Sequence, residues 1–362
     1  MSPKRLPWFI AAIFLIAVFA VAMCIGCARF CSPDVEAAAA PDAGPSGYRL
    51  IKTIKLGGEG FWDYLTFDSP TRRLFISRGT KVVVLDVDSE KVVGEIPDTT
   101  GVHGIALAPD LGDGFTSNGG AASVTIFDTR TLQVIGTAKT DMGPDAIVYD
   151  PATQRVFTMN GHSKDSTAID AKSGQVVGTI PLDGRPESAV ADGAGHVYVN
   201  IESKSELVQI DSKNLVVTAT WPLAPGVSPS GLAIDAKDRR LFVGCHNKMM
   251  AILDADTGKV IATPPIGLGV DADRFDPGTG FAFASTGSGV LSVIHEDSPD
   301  KFSFVEDVPT QMGARTMALD PKTHEVFLVT AQFAPPPAAT ADNPHPRGGM
   351  VPDSFVVLVF GR

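Results

Sequence analysis

The sequence predicts an all-β fold, a seven-bladed β-propeller, and two repeating patterns carry this prediction. Short apolar runs end at a first marker position every 40 to 44 residues, at Asp68, Ala108, Asp150, Asp192, Asp235, Asp276 and Asp320. A second marker position keeps the same spacing, at Asp86, Asp128, Asp170, Asp211, Asp254 and His295. A period of roughly 40–45 residues with four strands in each unit is typical of propeller blades.

Residues 61–96 show the four strands of one unit. Runs rich in Val, Ile, Leu and Phe, at 63–67, 74–78, 81–87 and 92–96, are separated by turn residues such as Asp, Ser, Pro and Gly. The middle runs are continuously apolar and do not alternate with polar residues. This pattern predicts strands that neighbouring sheets cover on both faces.

The two ends of the repeat region predict how the ring closes. The seventh unit lacks its fourth strand at the carboxyl terminus, whereas residues 48–56 precede the first unit and read as a fourth strand. We therefore expect this N-terminal strand to complete the seventh blade, which removes exposed sheet edges. The propeller domain is predicted to span residues 48–362.

The charge of the chain limits its partners. Net charge is −11, and residues 1–40 carry three basic and two acidic residues, so the rest of the chain has a charge of −12. An acidic body repels phosphates and anionic lipid heads, so nucleic acid is not an expected partner.

The N-terminal segment predicts export. Lys4 and Arg5 precede eighteen uncharged residues, 8–25, which indicates a signal or membrane-anchor segment at residues 1–28. An Ala/Pro/Gly-rich linker follows at 29–47. Three alternatives stay open: a retained helix, a lipoprotein anchored through Cys27, and cleavage near 37–40. The expected location is the cell envelope, with the propeller on the periplasmic or extracytoplasmic side and the membrane as a partner.

The repeat resembles one known family. The stretches HVYVNIESKSELVQID (196–211), DADTGKVIA (254–262) and DAKSGQVVG (170–178) are similar to the YVTN-type repeat of exported bacterial, YncE-like propellers. The resemblance covers residues 48–362 and implies the fold, export and a central funnel. It implies no reaction, although seven-bladed relatives include sugar-lactone hydrolases, subunits of quinoprotein amine dehydrogenases and haem d1 carriers.

The candidate binding site lies five residues before each first marker, at what we call the mouth position. Equivalent residues of a closed ring point towards one centre, and here they are Asp63, His103, Asp145, Glu187, Ser230, Asp271 and Arg315. This set predicts a site for a polar ligand or for a divalent cation such as calcium, since carboxylates are hard oxygen ligands. The alternative is solvated loop polarity with local pairs such as Arg315 and a carboxylate. His246, in a loop on the same face, is a further candidate.

Two other features raise questions that the sequence leaves open. Asp273 and Arg274 fall inside a predicted strand, where a buried ion pair can be purely structural. The seventh blade has a long Pro-rich loop at 331–353, for which three interpretations stay open: a lid over the funnel, an arm for docking a partner, or a flexible excursion without either role.

These features predict a binding or scaffold module in the cell envelope, for which an envelope protein is a candidate partner. No G-x-S-x-G, H-E-x-x-H, P-loop or dinucleotide motif occurs, so no catalytic residue is assigned. The alternatives are a metal-assisted, lactonase-like hydrolase acting in the funnel and a subunit of an envelope redox complex.

Overall fold

The structure is a computed structural model that describes residues 44–337 and 348–362. The predicted N-terminal helix and residues 338–347 of the long loop lie outside the described residues. In the described part, seven four-stranded antiparallel sheets follow one another along the chain. The all-β, seven-bladed propeller predicted from the repeats is confirmed. No helix in these two ranges is long and apolar enough to cross a membrane.

The first four blades follow the two marker positions closely. Blade 1 contains β2 (Leu65–Asp68), β3 (Arg73–Arg78), β4 (Lys81–Asp86) and β5 (Lys91–Ile96). Blade 2 contains β6 (Val102–Ala108), β7 (Asp113–Asn118), β8 (Ser123–Asp128) and β9 (Val134–Lys139). Blade 3 contains β10 (Pro144–Asp150), β11 (Arg155–Asn160), β12 (Asp165–Asp170) and β13 (Val176–Pro181). Blade 4 contains β14 (Pro186–Ala191), β15 (His196–Ile201), β16 (Glu206–Asp211) and β17 (Val216–Pro222), with a 3₁₀ turn at Glu202–Lys204.

The last three blades have the same order. Blade 5 contains β18 (Pro229–Asp235), β19 (Arg240–Cys245), β20 (Met249–Asp254) and a short β21 (Val260–Ala262). Blade 6 contains β22 (Val270–Asp276), β23 (Phe281–Thr286), β24 (Val290–Ser298) and β25 (Lys301–Pro309). Blade 7 contains β26 (Met317–Asp320), β27 (Glu325–Thr330), β28 (Val356–Gly361) and, from the start of the chain, β1 (Arg49–Lys55).

The ring closes as the sequence predicts. Strand β1 runs antiparallel to β28, from the pair Arg49 and Gly361 to the pair Lys55 and Val356. Tyr48, just before β1, is buried and donates a hydrogen bond of 2.7 Å to the carbonyl of His324. The amide of Ser46 donates to Glu306 at 2.8 Å. The start of the described chain is therefore packed against blades 6 and 7.

The core lies between the blades, on the second strand of each sheet. One aromatic side chain occupies the same place in every blade and is almost completely buried: Phe75, Phe115, Phe157, Tyr198, Phe242, Phe283 and Phe327. Each such side chain contributes roughly 1.5–3 kcal/mol through burial. This repeated packing explains why the middle strands are continuously apolar. It also holds the first strand of each blade in a fixed place beside the central axis.

Candidate functional site

The mouth positions lie at an irregularity in the sheets. In five blades the register between the first and second strands shifts where the mouth residue lies, for example between Val102 and Ile105 around His103. The same shift surrounds Asp145, Glu187, Ser230 and Asp271. A bulge bends a strand and turns a side chain away from the usual alternation. The mouth side chains therefore do not follow the alternating orientation of side chains along a strand.

A glycine turn precedes several of these residues. Gly101 and Gly143, two residues before His103 and Asp145, have φ values of 67° and 71°, which favour glycine. A Cβ on Gly101 would lie 2.5 Å from the backbone nitrogen of Gly120. The close approach joins two loops of one face, because Gly119 donates its backbone N–H to the carbonyl of Gly101 at 2.8 Å.

Serines on the second strands fix the backbone at the mouth, and sequence reasoning missed them. The amide of Asp63 donates to the hydroxyl of Ser77 at 2.8 Å. Ser117 accepts from the amide of Gly104 at 2.8 Å and donates to the carbonyl of Asp145 in the next blade. Ser285 donates to the carbonyl of Arg315, at 2.5 Å. Their repeated place near the end of the second strand is the signal that could have revealed them.

His103 is the centre of the cluster. Its Nδ1 lies 2.6 Å from Oδ2 of Asp63 and 3.6 Å from Oδ1 of Asp145, so blades 1, 2 and 3 meet at one imidazole. Ligand atoms of these three side chains all lie within 4.8 Å of one another. The hydrogen bond to Asp63 raises the pKa of His103 above its ordinary value, against the opposing effect of burial. The site therefore favours the protonated, positively charged imidazole.

Blades 3, 4 and 6 supply carboxyls that are poorly solvated. Burial, and then the charges of the neighbouring Asp145 and Asp271, raise the pKa of Glu187 to about 8. Burial also raises the pKa of Asp145 to about 6, helped by Asp63. At neutral pH, Glu187 is therefore mostly protonated. The mouth carboxyls favour the protonated form mainly because they are buried, and their like charges add to this effect.

Arg315 closes the cluster on the side of blade 7. Its guanidinium lies 3.1 Å from Oδ1 of Asp271, and the Arg315 side chain is 42% exposed. Burial raises the pKa of Asp271 to about 7, and this guanidinium acts in the opposite direction. The local pair that the sequence offered as an alternative is thus present, but it accounts for one carboxyl of the four. We call these six residues the mouth cluster: Asp63, His103, Asp145, Glu187, Asp271 and Arg315.

A small cavity lies on the axis among the first strands of the blades. It has a volume of about 70 Å³, and Tyr64, Thr66, Ser188 and Arg274 are among its lining residues. Burial and the nearby Asp145 and Glu187 raise the pKa of the Tyr64 phenol well above its usual range. Tyr64 therefore stays protonated, as a neutral neighbour of the acidic cluster.

Asp273 and Arg274 do not form the side-chain ion pair considered from the sequence. Consecutive strand residues point to opposite faces. The Arg274 guanidinium donates to the backbone carbonyl of Asp273 at 2.7 Å, while the Asp273 carboxylate accepts from the amide of Gly244 at 2.5 Å.

His246 stands apart from the mouth cluster. It is exposed at the end of β19, and its backbone N–H donates to carbonyls of the preceding loop. Within residues 44–337 and 348–362 its side chain makes no hydrogen bond or ion pair with a mouth residue. The described base of the long loop contacts the residue before Asp63: Phe333 pairs with Met350 in an isolated β-bridge, and its ring centre is 6.0 Å from that of Trp62.

Comparisons with known proteins support the fold. No protein-family model and no curated protein matches the chain. A chain of hydrazine synthase from Kuenenia stuttgartiensis is similar with a TM-score of 0.65 and 16% identity, over 73% of this chain and 91% of that one. A chain of the mitotic checkpoint complex is similar with a TM-score of 0.70 and 12% identity, over 96% and 99%. At such identities the likeness shows the seven-bladed fold alone.

Proposed function

We propose that the protein is a binding module of the exported YVTN type, and that its mouth cluster binds a divalent cation. The observation that carries this proposal is the meeting of His103 with Asp63 and Asp145, from three blades, within 4.8 Å of one another. Buried carboxyls of like charge are costly unless protons or a cation neutralise them. Burial raises the pKa of Asp145 to about 6, and the cation would take the place of the proton that this raised pKa favours.

The donors define the class of cation. One imidazole and two carboxylates suit Mn²⁺ or Zn²⁺, and the oxygen ligands also suit Ca²⁺. A metal needs a neutral imidazole and ionised carboxylates, so binding must release protons and must strengthen as pH rises. Arg315 and Asp271 would then lie at the rim of the site, where they would contact a polar ligand bound to the cation.

Calorimetry on the full-length protein tests this function. Wild type should bind one of these cations at the mouth with proton release, seen as heats that change with the ionisation enthalpy of the buffer. Asp145→Asn should weaken binding at least tenfold, whereas Asp183→Asn, on an exposed carboxylate paired with Lys204, should not. Equal affinity in wild type and Asp145→Asn, or no proton release, would reject a mouth site.

The location in the cell envelope is a proposal that rests on the N-terminal segment. Lys4, Arg5 and the uncharged residues 8–25 support export, and Cys27 supports a lipid anchor. Fractionation should find the protein in membranes with its propeller outside the cytoplasm. Cys27→Ser should release it or block its processing if a lipid holds it, and should have no effect if a helix does. Full-length protein found in the cytosol would contradict both routes.

One observation favours a hydrolytic function as a second candidate. Glu187 holds a proton at neutral pH beside the proposed cation site, so a Lewis acid and a proton donor would stand together. A lactone would suit such a pair, because its carbonyl would be polarised and its leaving oxygen protonated. Turnover of lactones by the cation-loaded protein, lost in Glu187→Gln while cation binding persists, would establish it.

A further inference from the structure

On the face opposite the mouth, one rule holds for the aspartates at four first marker positions, those of blades 1, 3, 6 and 7. A threonine three residues later donates its hydroxyl to the same carboxylate, for example Thr153 to Asp150 at 2.7 Å and Thr323 to Asp320 at 2.8 Å. Thr279 does the same for Asp276. Each such carboxylate thus has a donor within its own turn.

The next blade supplies a second partner to several of them. It comes from the residue four positions after that blade's own marker. Arg239 lies 2.8 Å from Asp192, and His324 lies 2.8 Å from Asp276. Arg72 likewise contacts the buried Asp320. A cationic or hydrogen-bonding side chain therefore bridges these neighbouring blades.

In blade 5 the marker aspartate lacks both kinds of partner, the threonine of its own turn and the side chain from the next blade. Its marker is Asp235, which is only 6% exposed. Three residues later the chain has Asp238, a carboxylate where blades 1, 3, 6 and 7 have a threonine. Four residues after the marker of blade 6 it has Gly280, which has no side chain to reach across. Both usual donors are missing, and a further acidic residue, Glu296 of β24, lies against Asp235.

The three carboxylates lie close together, and no side chain in the group neutralises their charge. Oxygen atoms of Asp235, Asp238 and Glu296 all lie within 4.8 Å of one another. Both carboxylate oxygens of Glu296 expose less than 1 Å² and have no hydrogen-bond partner among the described residues. A buried carboxylate left without any partner is expensive. Burial, then Asp235 and Asp238, raise the pKa of Glu296 to about 7.

Nearby basic side chains do not fill the gap. Lys237 reaches Asp238 at 3.3 Å from an 84% exposed position. Arg240 is already engaged, at 3.0 Å from Asp254 and 3.1 Å from Asp300. Neither one bonds to Glu296.

We propose that Asp235, Asp238 and Glu296 bind a Ca²⁺ ion that joins blades 5 and 6. The ion would take the place of the side chains that neutralise the marker aspartates elsewhere in the ring. Three oxygens that lie within 4.8 Å of one another can share one ion at about 2.8 Å or less, which admits the Ca²⁺–O distance of about 2.3–2.6 Å, whereas Mg²⁺ requires near-octahedral geometry at about 2.0–2.1 Å. The all-oxygen ligand set also disfavours Zn²⁺.

The test first removes the mouth site and then gives blade 5 the threonine that the rule requires. Full-length protein carrying Asp145→Asn, stripped with EDTA, should bind one Ca²⁺, and its melting temperature should rise by about 2 °C or more in excess Ca²⁺. Mg²⁺ should act much less. Adding Asp238→Thr, the residue that blades 1, 3, 6 and 7 have at this position, should raise the melting temperature in EDTA and abolish the Ca²⁺ response. Adding Glu296→Gln should also abolish the response.

Two results would overturn this site. One is a protein with Asp145→Asn that binds no Ca²⁺ by calorimetry. The other is a Ca²⁺ response that persists in both the Asp238→Thr and Glu296→Gln variants. Because the mouth site is tested by its own Asp145→Asn variant against wild type, either site can fail without the other.

Discussion

Leu50 lies opposite Phe360 in the antiparallel pair that joins the first strand of the chain to the last. Strand β1 covers β28 and buries Tyr48 and Ile54 against the ring. Without β1, the apolar strand β28 would become an exposed edge, which is a template for aggregation.

Removal of residues 44–56 should therefore destabilise the propeller by at least about 3 kcal/mol, from the lost burial of the two side chains alone. Chemical denaturation measures the change. The control is a protein that lacks residues 29–43 and keeps β1. Equal denaturation midpoints for the two proteins would show that β1 does not close the ring.

The pKa of Glu187 predicts how stability changes with pH. Its value in the fold, about 8, is raised above the ordinary value of 4.5. A raised pKa means that the stabilising contribution is complete below about pH 4.5 and is lost as pH rises through 8. In EDTA, wild type should lose roughly 1–3 kcal/mol more stability between pH 5 and pH 9 than Glu187→Gln does. Glu90→Gln, at an exposed pair with Lys52, should follow wild type.

Replacing Arg315 should strengthen the binding of a cation at the mouth cluster. Its guanidinium, 3.1 Å from Asp271, adds positive charge to the rim of the proposed site. Arg315→Gln should therefore strengthen cation binding by about 3–10-fold at low salt, an effect that 0.5 M salt should largely remove. Calorimetric titration measures both affinities. Weaker binding in this variant would mean that Arg315 supports the bound state and does not oppose it.

The sequence predicted the fold well because two marker positions report the strands independently. Strand β3 was expected at 74–78 and is found at Arg73–Arg78, and the closing strand expected within 48–56 is β1, Arg49–Lys55. Each blade repeats the same packing, so an error in one unit would conflict with the others.

The site was predicted only in part, and the reason is that contacts between blades depend on side-chain direction. Asp63, His103 and Asp145 meet, as equivalent positions of a ring should, whereas His246 remains exposed at the end of its strand. The register shifts that turn the mouth residues are invisible in the residue pattern. The acidic group around Glu296 was missed because its members come from the end of β18, from the turn after it and from a strand of the next blade.

The bridge between blades 7 and 1 provides a test of what holds the ring at its seam. Arg72 contacts Asp320, whose side chain is completely buried, and it also pairs with Glu325 at 2.9 Å. Removing one partner of a buried pair leaves an uncompensated charge, which costs about 3–5 kcal/mol. Arg72→Ala should therefore lower the free energy of unfolding by about 3 kcal/mol in chemical denaturation.

The matched control is Lys81→Ala, which breaks an exposed pair with Glu95 in the same blade and should cost no more than about 1 kcal/mol. Adding Asp320→Asn to Arg72→Ala should recover part of the loss, because the amide carries no buried charge. If Arg72→Ala costs no more than Lys81→Ala, the seam is held by apolar packing such as the stacked rings of Phe67 and Phe327, whose centres are 4.7 Å apart, and the ion pair is dispensable.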